Sequence, residues 1–225
     1  MKSVEMTSLP RISRLVIDSS QAITELCLLG HEYGADKSPI NPKGHRHPYT
    51  PVYTMLLSSL KNRPITFAEI GVAGGASACV WSGYFTHPEA RIRMFDRDEK
   101  FLAECREGVG AGTGEMRLTA DLMDVSVDGD VARALGDVEY DVILDDSSHE
   151  FGHQMRIVHE ALPKLKRGGL LIVEDVFRSI AEEEYAEALK DVLPACSAAY
   201  FVLCEHRLRW SPGWDNDKLL VLVKA

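Results

Sequence analysis

Two stretches of the chain set acidic side chains next to each other: Leu144-Asp145-Asp146-Ser147-Ser148-His149 and Val173-Glu174-Asp175. Each follows a short apolar run that reads as a strand, Tyr140–Leu144 and Leu170–Val173. Ends of neighbouring parallel strands converge on one rim, and carboxylates gathered there cannot all stay ionised unless something positive sits among them. A divalent cation resolves the conflict, and oxygen ligands with room for water suit Mg2+, with Mn2+ as a substitute. A plainer reading also exists: Asp145 or Asp146 could cap the following helix, and Glu174 and Asp175 could be solvated strand ends. His149, three residues after Asp146, is of the type that exchanges a proton near neutrality.

A second chemical feature lies upstream. Glu69-Ile70-Gly71-Val72-Ala73-Gly74-Gly75 falls where the strand Thr66–Ile70 should end and a helix begin. Glycines there allow a tight turn and let backbone N–H groups approach a ligand. Asp96 ends the apolar run Arg91–Phe95, where a carboxylate can accept both hydroxyls of a ribose. Asp121, after the expected strand Glu115–Thr119, is placed to receive an adenine amino group. The loop lacks the G-x-G-x-x-G of a dinucleotide site, and Glu69 beside it suits a cationic ligand better than a pyrophosphate.

These residues need an α/β scaffold, and the pattern supplies one. From Ile65 onward strands alternate with helices. The remaining strands are Ala199–Cys204 and Leu219–Val223; the helices are about Ala76–Phe85, Glu99–Gly108, Val131–Leu135, Gly152–Leu165 and Ile180–Val192. The last two strands are joined by a loop without a helix, Glu205 to Lys218, which predicts antiparallel pairing at a sheet edge. Upstream, a helix is expected over about Ile12–Leu29 and another over about Val52–Leu60. Between them, Gly30 to Tyr49 is too rich in Gly, Pro and Asn for regular structure. A loop that long suggests a lid or substrate loop, with His45, His47, Tyr49 and Tyr53 as contacts. Trp210 and Trp214, in the last loop, are candidates for a wall of the acceptor pocket. The expectation is therefore two parts: residues 1–60, a helical segment and lid, and residues 61–225, an α/β domain.

Bulk composition sets limits. The 225 residues carry a net charge of -9, with 45% hydrophobic and 26% charged side chains. The acidity argues against a nucleic-acid partner. No apolar run is long enough to span a bilayer, and the N-terminal residues lack the apolar core of a signal peptide. Five scattered cysteines without a CxxC read as reduced thiols in a cytoplasmic protein.

With these features in hand the chain resembles the class I S-adenosylmethionine-dependent methyltransferases, through E-x-G-x-x-x-G, Asp96, Asp121 and the terminal antiparallel pair. Asp-Asp-x-Ser-His followed by Glu-Asp, with Gly34-Ala35-Asp36-Lys37, His47-Pro48-Tyr49 and Tyr53 upstream, is similar to the magnesium-dependent macrolide sugar O-methyltransferases of the mycinamicin and macrocin type. The resemblance implies a Rossmann-like, seven-stranded, mostly parallel sheet with an antiparallel last strand, helices on both faces and an N-terminal helical cap. It implies Glu69, Gly71 and Gly75 around the methionine moiety of S-adenosylmethionine, Asp96 at the ribose and Asp121 near adenine, and Asp145 among the cofactor residues. It further implies Asp146, Glu174 and Asp175 as metal ligands, His149 as general base, and a homo-oligomer. The acceptor would be a small molecule with a hydroxyl, on a sugar or glycosylated natural product. A catechol-type methyltransferase and a nicotinamide-dependent oxidoreductase are the competing readings. Ala73 departs from the commonest glycine pattern, which a negative φ at that position would accommodate.

Overall fold

The computed structural model describes residues 12–109 and 117–225. Among these the strands are β1 (Ser13–Asp18), β2 (Thr66–Ile70), β3 (Arg91–Asp96), β4 (Leu118–Leu122), β5 (Tyr140–Asp145), β6 (Leu165–Val173), β7 (Cys196–Glu205) and β8 (Lys218–Lys224). The helices are α1 (Glu25–Tyr33), α2 (Tyr49–Leu57), α3 (Ala76–Tyr84), α4 (Glu99–Val109), α5 (Asp130–Leu135), α6 (Phe151–Ala161) and α7 (Glu182–Ala188).

All eight strands join one sheet in the order β1-β7-β8-β6-β5-β2-β3-β4. Only β8 runs antiparallel, between β6 and β7. The antiparallel last strand is as expected, but it lies inside the sheet: β1 pairs parallel with β7 and takes the edge. Side chains alternate between two cores. Phe67, Ile92, Met94, Val142, Leu144 and Ile172 face one side, packed with α1 to α4. Ala68, Ile70, Phe95, Ile143, Leu171 and Val173 face the other, with α5 to α7. This period of two, apolar on both faces, is what a sheet covered on both sides requires.

The N-terminal expectation fails in part. The expected helix over Ile12–Leu29 divides into strand β1 and helix α1. Leu15-Val16-Ile17 is an apolar run with β-branched Val16 and Ile17, and it pairs with Val202-Leu203-Cys204 far along the chain. Thr24 then starts α1, its hydroxyl accepting from the backbone N–H of Cys27 (3.4 Å), and Gly34 ends it at φ 74°. The sheet thus gains an eighth strand. At the other edge, residues 115 and 116 of the expected strand lie outside the described residues, and the strand observed is displaced toward Leu122. No described helix is long and apolar enough to cross a membrane.

The site follows from the strand order. After β2 the chain steps outward to β3 and β4, then returns to place β5 on the other side of β2. Connections leave β2 and β5 in opposite directions, and a crevice opens at their carboxyl ends, where open α/β sheets bind ligands. Gly71, just past β2, has φ 91°, and a Cβ there would lie 2.1 Å from the Asp146 carbonyl oxygen. The two loops touch because residue 71 has no side chain.

Gly71→Ala should therefore cost at least about 3 kcal/mol in urea unfolding, combining a left-handed backbone with a main-chain clash. Gly129, at φ 78° with open space around it, supplies the control: Gly129→Ala should cost about 1–2 kcal/mol. Equal losses at the two positions would show that close packing of the β2 and β5 loops is not what residue 71 provides.

Candidate active site

Carboxylates from three strand ends meet on this rim. Glu69 lies within β2, Asp145 and Asp146 end and follow β5, and Glu174 and Asp175 follow β6. Glu69, Asp145, Glu174 and Asp175 are buried, at 0, 2, 2 and 4% exposure. Such a group demands partners, because unpaired buried charge is among the costliest features a fold can carry.

The first partner is Lys37, itself 3% exposed. Its ammonium donates to Asp146 Oδ2 and to Glu174 Oε2 (2.8 Å) and lies 3.3 Å from Glu69 Oε1. Three strand ends are thereby tied to one cation from the N-terminal segment. Burial would raise Asp146, but Lys37 and His149 override it and hold its carboxyl down at about 2. For Glu69 burial prevails over the pull of Lys37 and lifts it to about 7. Burial likewise lifts Asp145 to about 6, against its bonds to Ser147.

The second partner is His149, whose Nε2 lies 3.2 Å from both Asp146 Oδ1 and Asp175 Oδ2. Burial alone would lower its pKa. The hydrogen bond to Asp146 and the charges of Asp175, Asp146 and Asp145 outweigh burial and raise it to about 9. His149 and Asp175 both take positive φ, 59° and 53°. Backbone strain of this kind gathers where a side chain must be aimed against local preference. Ligand atoms of Asp146, His149 and Asp175 all lie within 4.8 Å of one another. Two carboxylates and an imidazole at that spacing are a donor set that fits a divalent cation.

The third set of partners comes from α2 and the segment before it. Tyr49 Oη donates to Asp175 Oδ1 (2.6 Å), and Tyr53 Oη donates to Glu174 Oε1. His47 stacks on Tyr49 with ring centroids 5.1 Å apart, and its Nδ1 lies 2.8 Å from Asp217 Oδ1. All three side chains are buried. They bond the carboxylates and line neither of the two cavities described next.

Two cavities flank the cluster. One, of ≈ 400 Å³, is bounded by Gly71, Ala73, Asp96, Met123, Asp124, Asp146 and Ser147, among others. The other, of ≈ 360 Å³, runs between the Gly34–Lys37 stretch and the loop Gly71–Gly74. Gly71, Ala73 and Asp146 belong to both walls. Asp96 is braced for its place: its carboxylate accepts from the N–H groups of Val72 and Asp98, each at 3.0 Å.

Other expected site residues land elsewhere. Asp121 sits within β4, not after it, half-exposed and 3.4 Å from Arg93. The positions past that strand, Met123 and Asp124, line the cavity instead. Asp145 turns away from both cavities and accepts from Ser147 N (3.1 Å) and Oγ (2.6 Å). Glu69 lies beneath the glycine loop, held by Trp81 Nε1 at 3.1 Å. Gly75 has φ 76° and starts α3 hard against Cys105, off both walls. Ala73 has φ 39°, so the negative φ expected there is not what accommodates it. Glu174 gives its carboxylate oxygens to Lys37 and Tyr53, and Lys37 links it to Asp146. Sequence reasoning passed over Lys37 as a site residue, although the Gly-Ala-Asp-Lys stretch singled it out. Trp210 and Trp214 are each 46% exposed. Trp214 stands edge-on to His149 at 5.9 Å, and Trp210 bridges to Arg46 through paired backbone bonds of 2.9 and 3.0 Å.

Comparison with known proteins fits this arrangement. Residues 68–176 match a family model described as a methyltransferase domain. The chain is 29% identical over 175 residues to a Streptomyces olivaceus 8-demethyl-8-alpha-L-rhamnosyl tetracenomycin-C 2'-O-methyltransferase, covering 74% of this chain and 42% of that enzyme. It is 28% identical over 142 residues to the mycinamicin VI 2''-O-methyltransferase of Micromonospora griseorubida, covering 60% and 33%. The chain thus spans well under half the length of these curated relatives. Among solved structures, the MycE methyltransferase from the mycinamycin biosynthetic pathway, in complex with Mg and SAH, superposes with a TM-score of 0.54 at 25% identity, covering 68% of this chain and 37% of that one. In its strand order, its matched domain and these relatives, the chain has a Rossmann-like methyltransferase fold and resembles the tetracenomycin-C and mycinamicin VI O-methyltransferases.

Proposed function

We propose that the chain is an S-adenosylmethionine-dependent O-methyltransferase, assisted by a divalent cation, that acts on a sugar hydroxyl of a glycosylated natural product. The observation that carries this reading is the junction of the two cavities at Gly71 and Asp146, beside the Asp146–His149–Asp175 group. A long cofactor lying across both cavities would bring its middle, where a sulfonium sits, to that junction. Asp96 then meets the ribose, Met123 and Asp124 flank the adenine in place of Asp121, and the Gly71–Gly74 backbone with the Gly34–Asp36 stretch receives the amino-acid end. The relatives' named reactions and the Mg and SAH of the MycE complex support the same assignment.

The sulfonium methyl is already activated, so the protein's tasks are alignment and proton removal. Asp146 and Asp175 would hold the cation, which would supply Lewis acidity toward a hydroxyl, with the His149 imidazole beside them left uncoordinated. Against the lowering effect of burial, Asp146, Asp175 and Asp145 favour the protonated form of His149. When those carboxylates are neutralised, the imidazole is freed to accept the acceptor's proton. Trp214, edge-on to His149 and half-exposed, offers a flat apolar wall to the acceptor.

Two measurements test the reading. S-adenosylhomocysteine should bind in calorimetry where NAD does not. Gly74, which lines the second cavity and has open space where a Cβ would stand, allows a selective block. Gly74→Leu should lower that affinity by at least about tenfold while leaving the melting temperature within a few degrees. Binding of NAD alone would move the protein to another class of chemistry. The acceptor class is decided separately, by methyl transfer to sugar-bearing macrolides against catechols.

The raised pKa of His149 gives a pH dependence of defined sign. A group protonated more readily when folded stabilises the fold fully below its unfolded pKa and loses that contribution as pH rises through the folded one. In EDTA, the stability difference between wild type and His149→Gln should shrink between about pH 6.5 and 9, by at most about 3 kcal/mol. Parallel denaturation curves across that range would show that His149 is not held protonated by its two carboxylates.

A further inference from the structure

Lys37 occupies the centre of the acidic group, and the methyl-transfer reading gives it no task. Its ammonium bonds Asp146 Oδ2 and Glu174 Oε2, while His149 faces Asp146 Oδ1. Both oxygens of Asp146 are therefore already engaged, one by the Lys37 ammonium and one by the His149 ring. Asp146 is also one of the three residues whose ligand atoms could close around an ion. An ion entering that set meets a fixed positive charge across a single carboxylate, and like charges so placed repel strongly where water is excluded.

We propose that Lys37 is a tethered counter-ion that competes with the divalent cation for Asp146, so that it stabilises the ion-free protein and weakens ion binding. This inference rests on the cation assignment above. The anchoring around Lys37 makes it an effective competitor. Its carbonyl oxygen accepts from Tyr49 N (3.1 Å) and Thr50 N (3.0 Å), fixing the residue at the start of α2. The side chain is thus delivered by the same helix whose Tyr49 and Tyr53 hold Asp175 and Glu174. A residue that merely filled space would not need three carboxylates within reach. A residue that only shaped the ligands would not be expected to hold one of the oxygens an ion requires.

Titration of Mn2+ into the full chain, read by the electron paramagnetic resonance of free Mn2+ and by calorimetry, tests the competition. Lys37→Met should bind Mn2+ at least about tenfold more tightly than wild type, melt at a lower temperature in EDTA, and recover much of the loss when Mn2+ is added. Lys37→Arg keeps the charge and should leave Mn2+ affinity within a few-fold of wild type. Equal or weaker binding by Lys37→Met, with wild type binding normally, overturns the competition and leaves the methyl-transfer reading intact. No Mn2+ binding by either protein removes the cation assignment and this inference together. Should Lys37→Met fail to fold, reductive methylation of wild-type lysines decides the matter. Lys37 should resist labelling in EDTA and become labelled at saturating Mn2+, and equal protection in both states overturns the proposal.

Discussion

The structure is organised by one electrostatic requirement: carboxylates delivered to a single rim by β2, β5 and β6 must be surrounded by positive or donating groups. Parallel strands oblige Glu69, Asp146, Glu174 and Asp175 to end near one another, and burial makes each unpaired charge costly. Lys37, His149, Tyr49, Tyr53, Trp81 and Gln154 all spend their polar atoms on this group or its backbone. Several of these oxygens are reached by a single donor, and Lys37 and His149 each serve more than one carboxylate, which couples the contacts.

The same requirement explains the N-terminal segment. Residues between α1 and α2 have little periodic structure, yet Ala35, Lys37, Ser38, Asn41 and His47 are buried. They are held by bonds to the sheet rim and to one another: Asp36 O accepts from His47 N at 2.7 Å, and Ser38 Oγ donates to Cys27 O at 3.0 Å. What composition marks as a loop is thus an ordered cover, fastened at Trp210 on one side and at the carboxylates on the other. A glycine- and proline-rich stretch can be ordered without regular structure when side-chain bonds satisfy its backbone.

Much of this was legible in the sequence, and the failures have physical causes. Strands β2, β3, β5 and β6 are marked by largely apolar runs that end in Gly or acidic residues, and β8 by the run Leu219–Val223, because strands buried on both faces are predominantly apolar. The edge strand β1 was misread because most of its side chains are exposed and its partner is distant in sequence, leaving an irregular pattern that imitates a helix. Asp121 was misplaced by a small shift in a strand boundary, which in a period-two element changes the face a side chain occupies. Residue type and adjacency marked the acidic pairs Asp145-Asp146 and Glu174-Asp175 and the nearby His149, while the roles expected of them rested on the family resemblance. Lys37 could be noticed as part of a motif but not given its role, since its partners lie 109 and 137 residues away. The left-handed backbone at Ala73 carries no sequence signal, as nothing about alanine announces it.

In the proposed function, one crevice holds a sulfonium cofactor and a cation against the same carboxylate, Asp146. The most direct test is a crystal structure grown with Mn2+ and S-adenosylhomocysteine, using the anomalous signal of manganese to fix the ion. An anomalous peak is expected within ligand distance of Asp146 and Asp175, with the cofactor's sulfur a few ångströms away beside Gly71. A peak elsewhere, or a cofactor outside the crevice between the β2 and β5 loops, would contradict it.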